Sequence, residues 1–145
     1  MFVENFEETL NLGKKLSHKL NSQSIVLLKG PIGAGKTSFV KGIAKGLSIC
    51  EEITSPTFAL SHHYNSGKIP LIHLDLYRLQ SSSSAKEVFF TEEEEALQSK
   101  AILIIEWPEL IEPLIKDFWK IEISYAKNYG RNYLIRDPKN LLTFS

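Results

Sequence analysis

The sequence predicts an α/β protein of three layers, with helices on both faces of a mixed, mainly parallel sheet that has antiparallel edge strands. Between residues 24 and 47 an apolar strand, a glycine-rich loop and an amphipathic helix follow one another. Two later runs, LIHLD and AILIIE, are apolar at nearly every residue, which is typical of strands covered on both faces. The chain has 145 residues, the length of a single domain.

The first elements are two helices that flank a strand. Asn5 can cap a helix that ends near Asn21, with Glu8 at the capping-box position. Its apolar face is predicted to comprise Phe6, Leu10, Gly13, Leu16 and Leu20. A strand, Ser24 to Lys29, breaks at Gly30, and a second helix runs from Lys36 to Leu47. The inward residues of the second helix are predicted to be Phe39, Val40, Ile43, Ala44 and Leu47.

Five further strands and one helix are predicted downstream. The strands are Phe58 to Tyr64, Pro70 to Leu76, Ala101 to Trp107, Trp119 to Ala126 and Asn132 to Arg136. We expect the last two to form an antiparallel edge because they alternate more clearly. The helix is predicted over Glu109 to Phe118, after Pro108 in a first-turn position. The serine- and glutamate-rich stretch from residue 80 to residue 99 is interpreted as a solvated loop with a short helix.

Composition excludes several classes of protein. There are 17 Lys and Arg residues against 17 Asp and Glu, so binding to nucleic acid mainly by phosphate neutralisation is not expected. No apolar run approaches the roughly 18 residues of a membrane span, and the N-terminus lacks the basic-then-apolar order of a secretory signal. A single cysteine, Cys50, excludes an internal disulfide and is expected to be buried and inert. These features predict a cytoplasmic protein without a membrane association.

One motif directly indicates a phosphate-binding loop. GPIGAGKT, Gly30 to Thr37, fits G-x-x-x-x-G-K-[ST] at every fixed position. The glycines let backbone N–H groups turn toward phosphate oxygens at a helix N-terminus. Lys36 adds a positive charge for the β- and γ-phosphates, and the Thr37 hydroxyl is placed to bind Mg²⁺. The motif predicts the three-layer P-loop NTPase fold, with a single P-loop domain over residues 1–145.

Two acids are candidates for the catalytic and metal-binding carboxylates that a P-loop needs. Asp75 ends the strand LIHLD, and Glu106 ends AILIIE. One could hold Mg²⁺ while the other orients the attacking water or the water shell of the metal. Spacing alone leaves this division of roles open, and either acid could simply mark the exit of its strand into solvent.

Other polar and aromatic residues have two interpretations each. The segment TSPTF, Thr54 to Phe58, reads as a turn or as a loop that senses the γ-phosphate. Trp107 packs in the core or offers a stacking surface near the nucleotide. The histidines His62, His63 and His73 lie on predicted strands without cysteine partners, which favours ordinary strand histidines over a metal site.

Four motifs in order resemble the TsaE (YjeE) family, the small P-loop ATPases of bacterial tRNA threonylcarbamoyladenosine (t6A) biosynthesis. They are GPIGAGKT, TSPTF, HLDLYRL (His73 to Leu79) and IEWPE (Ile105 to Glu109). The resemblance covers nearly the whole chain, including Gly130-Arg131 before the last predicted strand. Its departures are Pro31-Ile32, Ser38 in place of a common Thr, and the lack of a glycine-containing acidic helix after HLDLYRL.

The resemblance implies an ATPase that acts with two partner proteins, TsaB and TsaD, in attaching threonylcarbamoyl to adenosine 37 of tRNAs that read codons beginning with A. It implies contact with tRNA only through the partners, and ATP and Mg²⁺ as cofactors. By motif, the nucleotide would contact Gly33, Ala34, Gly35, Lys36, Thr37, Ser38, Thr57, Trp107 and Arg131. The metal would be held by Thr37 and Glu106, and Asp75 would serve the hydrolytic site beside them or share the metal.

Two other functions are compatible with the P-loop. A small P-loop kinase usually needs an arginine-bearing lid, but the arginines are Arg78, Arg131 and Arg136, none in a lid-like insertion. A GTPase is disfavoured because no Asn-Lys-x-Asp occurs. A non-catalytic nucleotide-dependent binding module remains open if the divergent segment from residue 80 to residue 99 disables hydrolysis.

Overall fold

A computed structural model describes residues 1–144, which form eight strands, three α-helices and two short 3-10 turns. The strands are β1 (Phe2–Val3), β2 (Ile25–Lys29), β3 (Ser61–Tyr64), β4 (Leu71–Asp75), β5 (Ile102–Glu106), β6 (Trp119–Tyr125), β7 (Arg131–Arg136) and β8 (Leu142–Thr143). The helices are α1 (Phe6–Ser17), α2 (Lys36–Gly46) and α3 (Ser82–Ser99), and the 3-10 turns are Pro108–Leu110 and Glu112–Leu114. Within residues 1–144, no helix combines the length and the apolar character that a bilayer crossing requires.

All the strands join one mixed sheet in the order β1-β7-β6-β2-β5-β4-β3, with β8 also paired to β7. The central strands β6, β2, β5 and β4 are parallel, while β3, β7, β1 and β8 pair antiparallel with their neighbours. The mainly parallel sheet with antiparallel edges is confirmed. The predicted antiparallel pairing of the last two strands is confirmed, but neither is an edge strand, because β6 also pairs in parallel with β2 and β7 also pairs with β1 and β8.

Helices cover both faces of the sheet. Successive residues of β2 face opposite sides: Val26 and Leu28 join the apolar cluster under α1 and α2, and Leu27 joins the cluster under α3. β5 divides in the same way, with Ile104 on the first side and Ile105 on the second. This division explains why the strands read as continuous apolar runs, and it confirms the three-layer fold.

The two N-terminal helices pack closely on one face. The side chain of Asn5 accepts a hydrogen bond from the backbone N–H of Glu8 at 3.0 Å and so begins α1, as predicted. α1 ends at Ser17 rather than near Asn21, and Phe6 is exposed while Leu12 is buried in the core. The inward face predicted for α2 is confirmed, because its members are all buried: Phe39, Val40, Ile43, Ala44 and Leu47.

The interpretation of residues 80–99 as a solvated loop with a short helix is wrong in its extent of helix, because Ser82–Ser99 form the long helix α3. The Ser81 hydroxyl caps its first turn by accepting a hydrogen bond from the Ser84 N–H at 3.1 Å. Only Ala85, Phe89 and Ala96 are buried along the helix. Such a sparse apolar stripe among serines and glutamates hides the helical period, although glutamate itself is a good helix former.

Three smaller predictions are also wrong. The segment predicted as a helix over Glu109 to Phe118 forms the two 3-10 turns, because Pro113 lacks an N–H group and its ring would clash with the preceding turn of an α-helix. The strand predicted from Phe58 begins only at Ser61, since residues 56 to 60 form a turn. Cys50, which was expected to be buried, is exposed.

Candidate functional site

The glycine-rich loop joins β2 to the start of α2. Gly33 and Gly35 have φ angles of +80° and +101°, a left-handed conformation that glycine adopts without steric cost. The N-cap residue of α2 is Gly35, which has no side chain to make a capping hydrogen bond. The first N–H groups of this helix therefore suit an anion, as they do at helix N-termini that bind phosphate.

Lys36 lies at the centre of this loop and is only 7% exposed. Its ammonium donates hydrogen bonds to the carbonyl of Gly30 and, at 3.0 Å, to that of Pro31. Burial lowers the pKa of Lys36, while the negative charges of Glu106 and, more weakly, Asp75 act to raise it. The ammonium is thus held between the loop carbonyls and two carboxylates, where a negatively charged ligand would favour its charged form.

The two acids singled out from the sequence lie side by side at the ends of neighbouring parallel strands. Asp75 of β4 is the register partner of Glu106 of β5, and both are almost fully buried. The oxygens of Asp75 accept hydrogen bonds from the Thr57 hydroxyl at 3.0 Å and the Tyr77 N–H at 2.8 Å. Burial raises the pKa of Asp75, opposed by the Tyr77 hydrogen bond and supported by the charge of Glu106.

Glu106 has a partner that the motifs do not reveal. Nε2 of the fully buried His73 lies 2.5 Å from Oε2 of Glu106. The interpretation of His73 as a strand residue is confirmed, since it lies in β4. Its contact with Glu106 was missed, although its position two residues before Asp75, on the same face of β4, was a signal for it.

The two histidines of β3, His62 and His63, make different contacts. His63 pairs with Glu92 of α3 at 2.7 Å, and Nδ1 of His62 lies 3.2 Å from the hydroxyl of Tyr64. Among residues 1–144, His, Cys, Asp and Glu side chains do not gather in threes around a common point that could hold a metal ion.

The TSPTF segment reaches the site through its last hydroxyl. Oγ1 of Thr57 lies 2.7 Å from Oγ of Ser55 and donates to Asp75. The guanidinium of Arg78 donates to the carbonyl of Phe58 at 3.3 Å and lies 5.2 Å from the centre of its ring. The segment is therefore a turn whose side chains extend into the cleft beside Asp75.

These groups line a single cleft of about 440 Å³. It contains every predicted site residue except Ala34 and Arg131, together with residues that the motifs did not single out. Its lining is Ile32, Gly33, Gly35, Lys36, Thr37, Ser38, Ser55, Thr57, Asp75, Tyr77, Glu106 and Trp107. Ser55 and Tyr77 were missed as site residues, although both lie inside the quoted motifs and Tyr77 follows Asp75 by two positions.

Trp107 faces this cleft and not the core. Its ring centre lies 4.9 Å from that of Tyr77 and 4.3 Å from the ammonium of Lys36. Its φ angle of +55° is unusual for a bulky residue and costs conformational energy that the surrounding contacts must offset. The strained backbone therefore directs an aromatic face toward the phosphate-loop lysine.

Ala34 and Arg131 line a second cleft of about 290 Å³ on the other side of the glycine loop. The guanidinium of Arg131 donates to the carbonyl of Gly33 at 3.3 Å and lies 4.4 Å from the centre of the Tyr125 ring. The second cleft shares Gly33 with the first. Gly35 and Ser38 also line both clefts, so the two clefts meet at the glycine-rich loop and the first turn of α2.

The donor set of the first cleft suits a divalent cation. The lining offers the Thr37 hydroxyl and the carboxylates of Asp75 and Glu106, and oxygen ligands of this kind are the ones that Mg²⁺ prefers. One ammonium, that of Lys36, faces two buried carboxylates, so a polyphosphate entering the cleft would meet excess negative charge. A bound cation would offset that charge.

The sequence model of one protein family matches residues 3–133, and its description is "Threonylcarbamoyl adenosine biosynthesis protein TsaE". The matched residues include the phosphate loop, both acids and Arg131. The chain belongs to the TsaE family. A TsaE from a Nostoc species is 47% identical over 135 residues, which cover 93% of this chain and 76% of that protein.

Two other TsaE proteins and a solved structure are also similar to this chain. Two further relatives are each described as a tRNA threonylcarbamoyladenosine biosynthesis protein TsaE. The Synechocystis protein is 41% identical over 78% of this chain and 72% of its own length. The Bacillus subtilis protein is 36% identical over 74% of this chain and 65% of its own length. The crystal structure of Bacillus subtilis YdiB superposes with a TM-score of 0.74 at 29% identity, covering 92% of this chain and 80% of that one. These relatives support the family assignment and the P-loop fold.

Proposed function

We propose that the chain is the ATP-binding and ATP-hydrolysing component of the tRNA t6A37 modification machinery. In this role it acts in the cytoplasm on a TsaB–TsaD complex and supports threonylcarbamoyl transfer to adenosine 37. The observation that carries the proposal is the cleft in which an uncapped helix N-terminus, Lys36 and two buried carboxylates meet. We also propose that residues 1–145 act as one P-loop ATPase domain.

The phosphate groups of ATP would be bound by the loop and the first turn of α2. Backbone N–H groups from Gly33 to Ser38 would donate to phosphate oxygens. Lys36 would exchange its hydrogen bonds to the neutral loop carbonyls for hydrogen bonds to the negatively charged β- and γ-phosphates. This exchange compensates the burial that disfavours its charge in the absence of a ligand.

Thr37 and Glu106 would hold Mg²⁺. A bound Mg²⁺ neutralises charge that develops on the phosphate oxygens and orients them. The structure favours Glu106 over Asp75 for this role, because both oxygens of Asp75 already accept hydrogen bonds from this chain, whereas Glu106 is engaged at Oε2 by His73.

Asp75 and Thr57 would orient the attacking water. The burial that raises the pKa of Asp75 makes its carboxylate a better proton acceptor than an exposed one. Thr57 links that carboxylate to the TSPTF turn, so a shift of the turn would be transmitted to Asp75. This coupling suits a switch that responds to hydrolysis.

The nucleoside would lie on the far side of the loop. The second cleft borders the first along Gly33 and Gly35, so a nucleotide with its phosphates in one cleft would place its sugar and base toward the other. Ala34 and Arg131 would contact the nucleotide there. Trp107 would cover the phosphate end opposite them, beside Lys36.

Contact with tRNA would be indirect. The chain has equal numbers of basic and acidic residues, 17 of each, which gives no net attraction to a phosphate backbone. A protein of this charge would act on the modifying enzyme and leave most contact with tRNA to TsaB and TsaD.

ATP turnover with and without the TsaB–TsaD pair tests the proposal. We expect slow hydrolysis by the chain alone and faster hydrolysis with the pair. Thr57→Val should reduce the partner-stimulated rate by about 10²-fold, the lower end of a general acid–base contribution, while Thr57→Ser keeps the hydroxyl and most of the rate. Phosphoryl transfer to a small acceptor with no dependence on the partners, or the absence of turnover in both conditions, would contradict the proposal.

A further inference from the structure

His73 is a fully buried histidine that is hydrogen-bonded to the carboxylate of Glu106 in the candidate site. Its Nε2 atom lies 2.5 Å from Oε2 of Glu106. Opposite an ionised carboxylate, which can only accept a hydrogen bond, the tautomer with its proton on Nε2 is the one that donates to Oε2. Among residues 1–144, Nδ1 has no hydrogen-bond partner. The hydrogen bond to Glu106 is therefore the polar contact that the described part of the chain provides for this imidazole.

The register of the sheet brings the two side chains together. His73 pairs across the sheet with Ile104, and Glu106 lies two residues further along β5 on the same face. Diagonal neighbours of this kind on one face are within reach of long side chains. Residues next to His73 on this face, Leu71 and Ile104, belong to the apolar cluster under α1 and α2. His73 thus lies where this apolar cluster meets polar neighbours, with Asp75 two residues further along β4 on the same face and His62 as its register partner on β3.

If packing were the sole requirement at this position, an aliphatic residue would meet it. A buried imidazole costs free energy unless it is hydrogen-bonded, and here one of its two nitrogens has no partner. A buried polar atom without a partner in a native fold calls for a specific explanation, which is often a functional one. The geometry provides that explanation through the Glu106 carboxylate.

We propose that His73 is a positioning residue that fixes the orientation of Glu106 and so prepares it to bind Mg²⁺. The inference rests on the proposed binding of Mg²⁺ and ATP. By holding Oε2, His73 restricts rotation of the carboxylate and leaves Oε1 for the cation. Hydrogen bonds of this kind to a metal ligand typically account for 10- to 100-fold in metal affinity or activity.

Two amide substitutions separate positioning from packing. In His73→Gln the amide nitrogen can occupy the place of Nε2 and donate to Glu106, whereas the shorter His73→Asn reaches only the place of Nδ1. Calorimetry would measure the affinity for a non-hydrolysable ATP analogue over a range of Mg²⁺ concentrations and in EDTA. We expect His73→Asn to need about 10 to 100 times more Mg²⁺ for half-maximal enhancement of binding, with unchanged affinity in EDTA. His73→Gln should remain close to the wild type.

The remaining outcomes are equally decisive. Identical Mg²⁺ dependence in both variants, or a loss of affinity that is equal in EDTA, would overturn the positioning role. In a Glu106→Gln background, His73→Asn should cause no further change. If His73→Asn does not fold, His73→Leu removes the donor without burying an amide. Absence of any Mg²⁺-dependent binding by the wild type would instead contradict the proposed function itself.

Discussion

Removing the charge of Lys36 should separate its role in binding from any role in folding. Lys36→Met keeps most of the aliphatic stem but removes the ammonium, which is buried between the carbonyls of Gly30 and Pro31. If Lys36 binds phosphate, the variant loses at least one hydrogen bond between charged groups. Such a bond contributes about 1.5 to 3 kcal/mol, which corresponds to a roughly 10- to 150-fold weaker Kd.

Although Lys36→Met should bind nucleotide more weakly, its folded state without nucleotide should be at least as stable as that of the wild type. Burial lowers the pKa of Lys36 below its value in an unfolded chain, so at neutral pH the charged side chain disfavours the folded state. A neutral methionine relieves that cost. We therefore expect the melting temperature of Lys36→Met without nucleotide to equal or exceed that of the wild type.

Calorimetry with an ATP analogue and thermal unfolding would measure both quantities. Lys41→Met is a matched control, because Lys41 lies on the same helix and is exposed, and its affinity should stay within about twofold since exposed charges are screened by salt. An unchanged Kd in Lys36→Met would refute the assignment of Lys36 to phosphate binding. A loss of affinity together with a fall in melting temperature would refute the argument that the buried charge of Lys36 disfavours the folded state.

The other two predictions concern pH and stability. Asp75→Asn should abolish ATP turnover but raise the melting temperature at pH 7. The folded pKa of Asp75 is raised, so the ionised carboxylate destabilises the folded state. The difference in melting temperature between the variant and the wild type should therefore shrink as the pH falls through the folded pKa toward the unfolded value. Equal melting temperatures at pH 7 would argue against a buried charge. Burial alone would raise the pKa of Glu112, but hydrogen bonds and charges from Lys120 and Lys29 outweigh it and lower the pKa. Glu112→Gln should therefore lower the stability at pH 7 by at most about 1 kcal/mol. This effect should fade below the unfolded pKa and disappear as the pH falls through the lowered folded pKa, and a loss that persists at still lower pH would exclude these ion pairs as its cause.

Much of the site was predictable because its chemistry is local in sequence. The glycines that allow left-handed backbone, the lysine and the hydroxyl lie within eight residues, Gly30 to Thr37. Asp75 and Glu106 were predictable for a different reason, since acids at the carboxyl ends of two buried parallel strands meet at one edge of a sheet. The structure places them as register partners.

What could not be predicted depends on contacts between distant residues. The link between His73 and Glu106 spans 33 positions, and it requires knowing that β4 and β5 are neighbours. The link between Thr57 and Asp75 likewise requires the path of the TSPTF turn. The first contact follows from the strand order and the second from the path of the turn, and local periodicity determines neither.

The largest error in the fold has a local cause. α3 buries only Ala85, Phe89 and Ala96, and the four consecutive glutamates before Ala96 read as a solvated loop. Their helix propensity was a better guide than the scarcity of apolar residues. Pro113 had the opposite effect, because it breaks a segment whose apolar spacing resembles that of a helix.

Reconstituted tRNA modification with limiting TsaB–TsaD tests the central proposal most directly. The measured quantity is the number of threonylcarbamoyl groups transferred to tRNA per partner complex, with ATP and Mg²⁺ present. We expect multiple rounds with the wild-type chain and about one round or fewer with Lys36→Met or without the chain. Multiple rounds in the absence of this chain, or with Lys36→Met at the wild-type rate, would contradict a role for ATP binding by this protein in the modification.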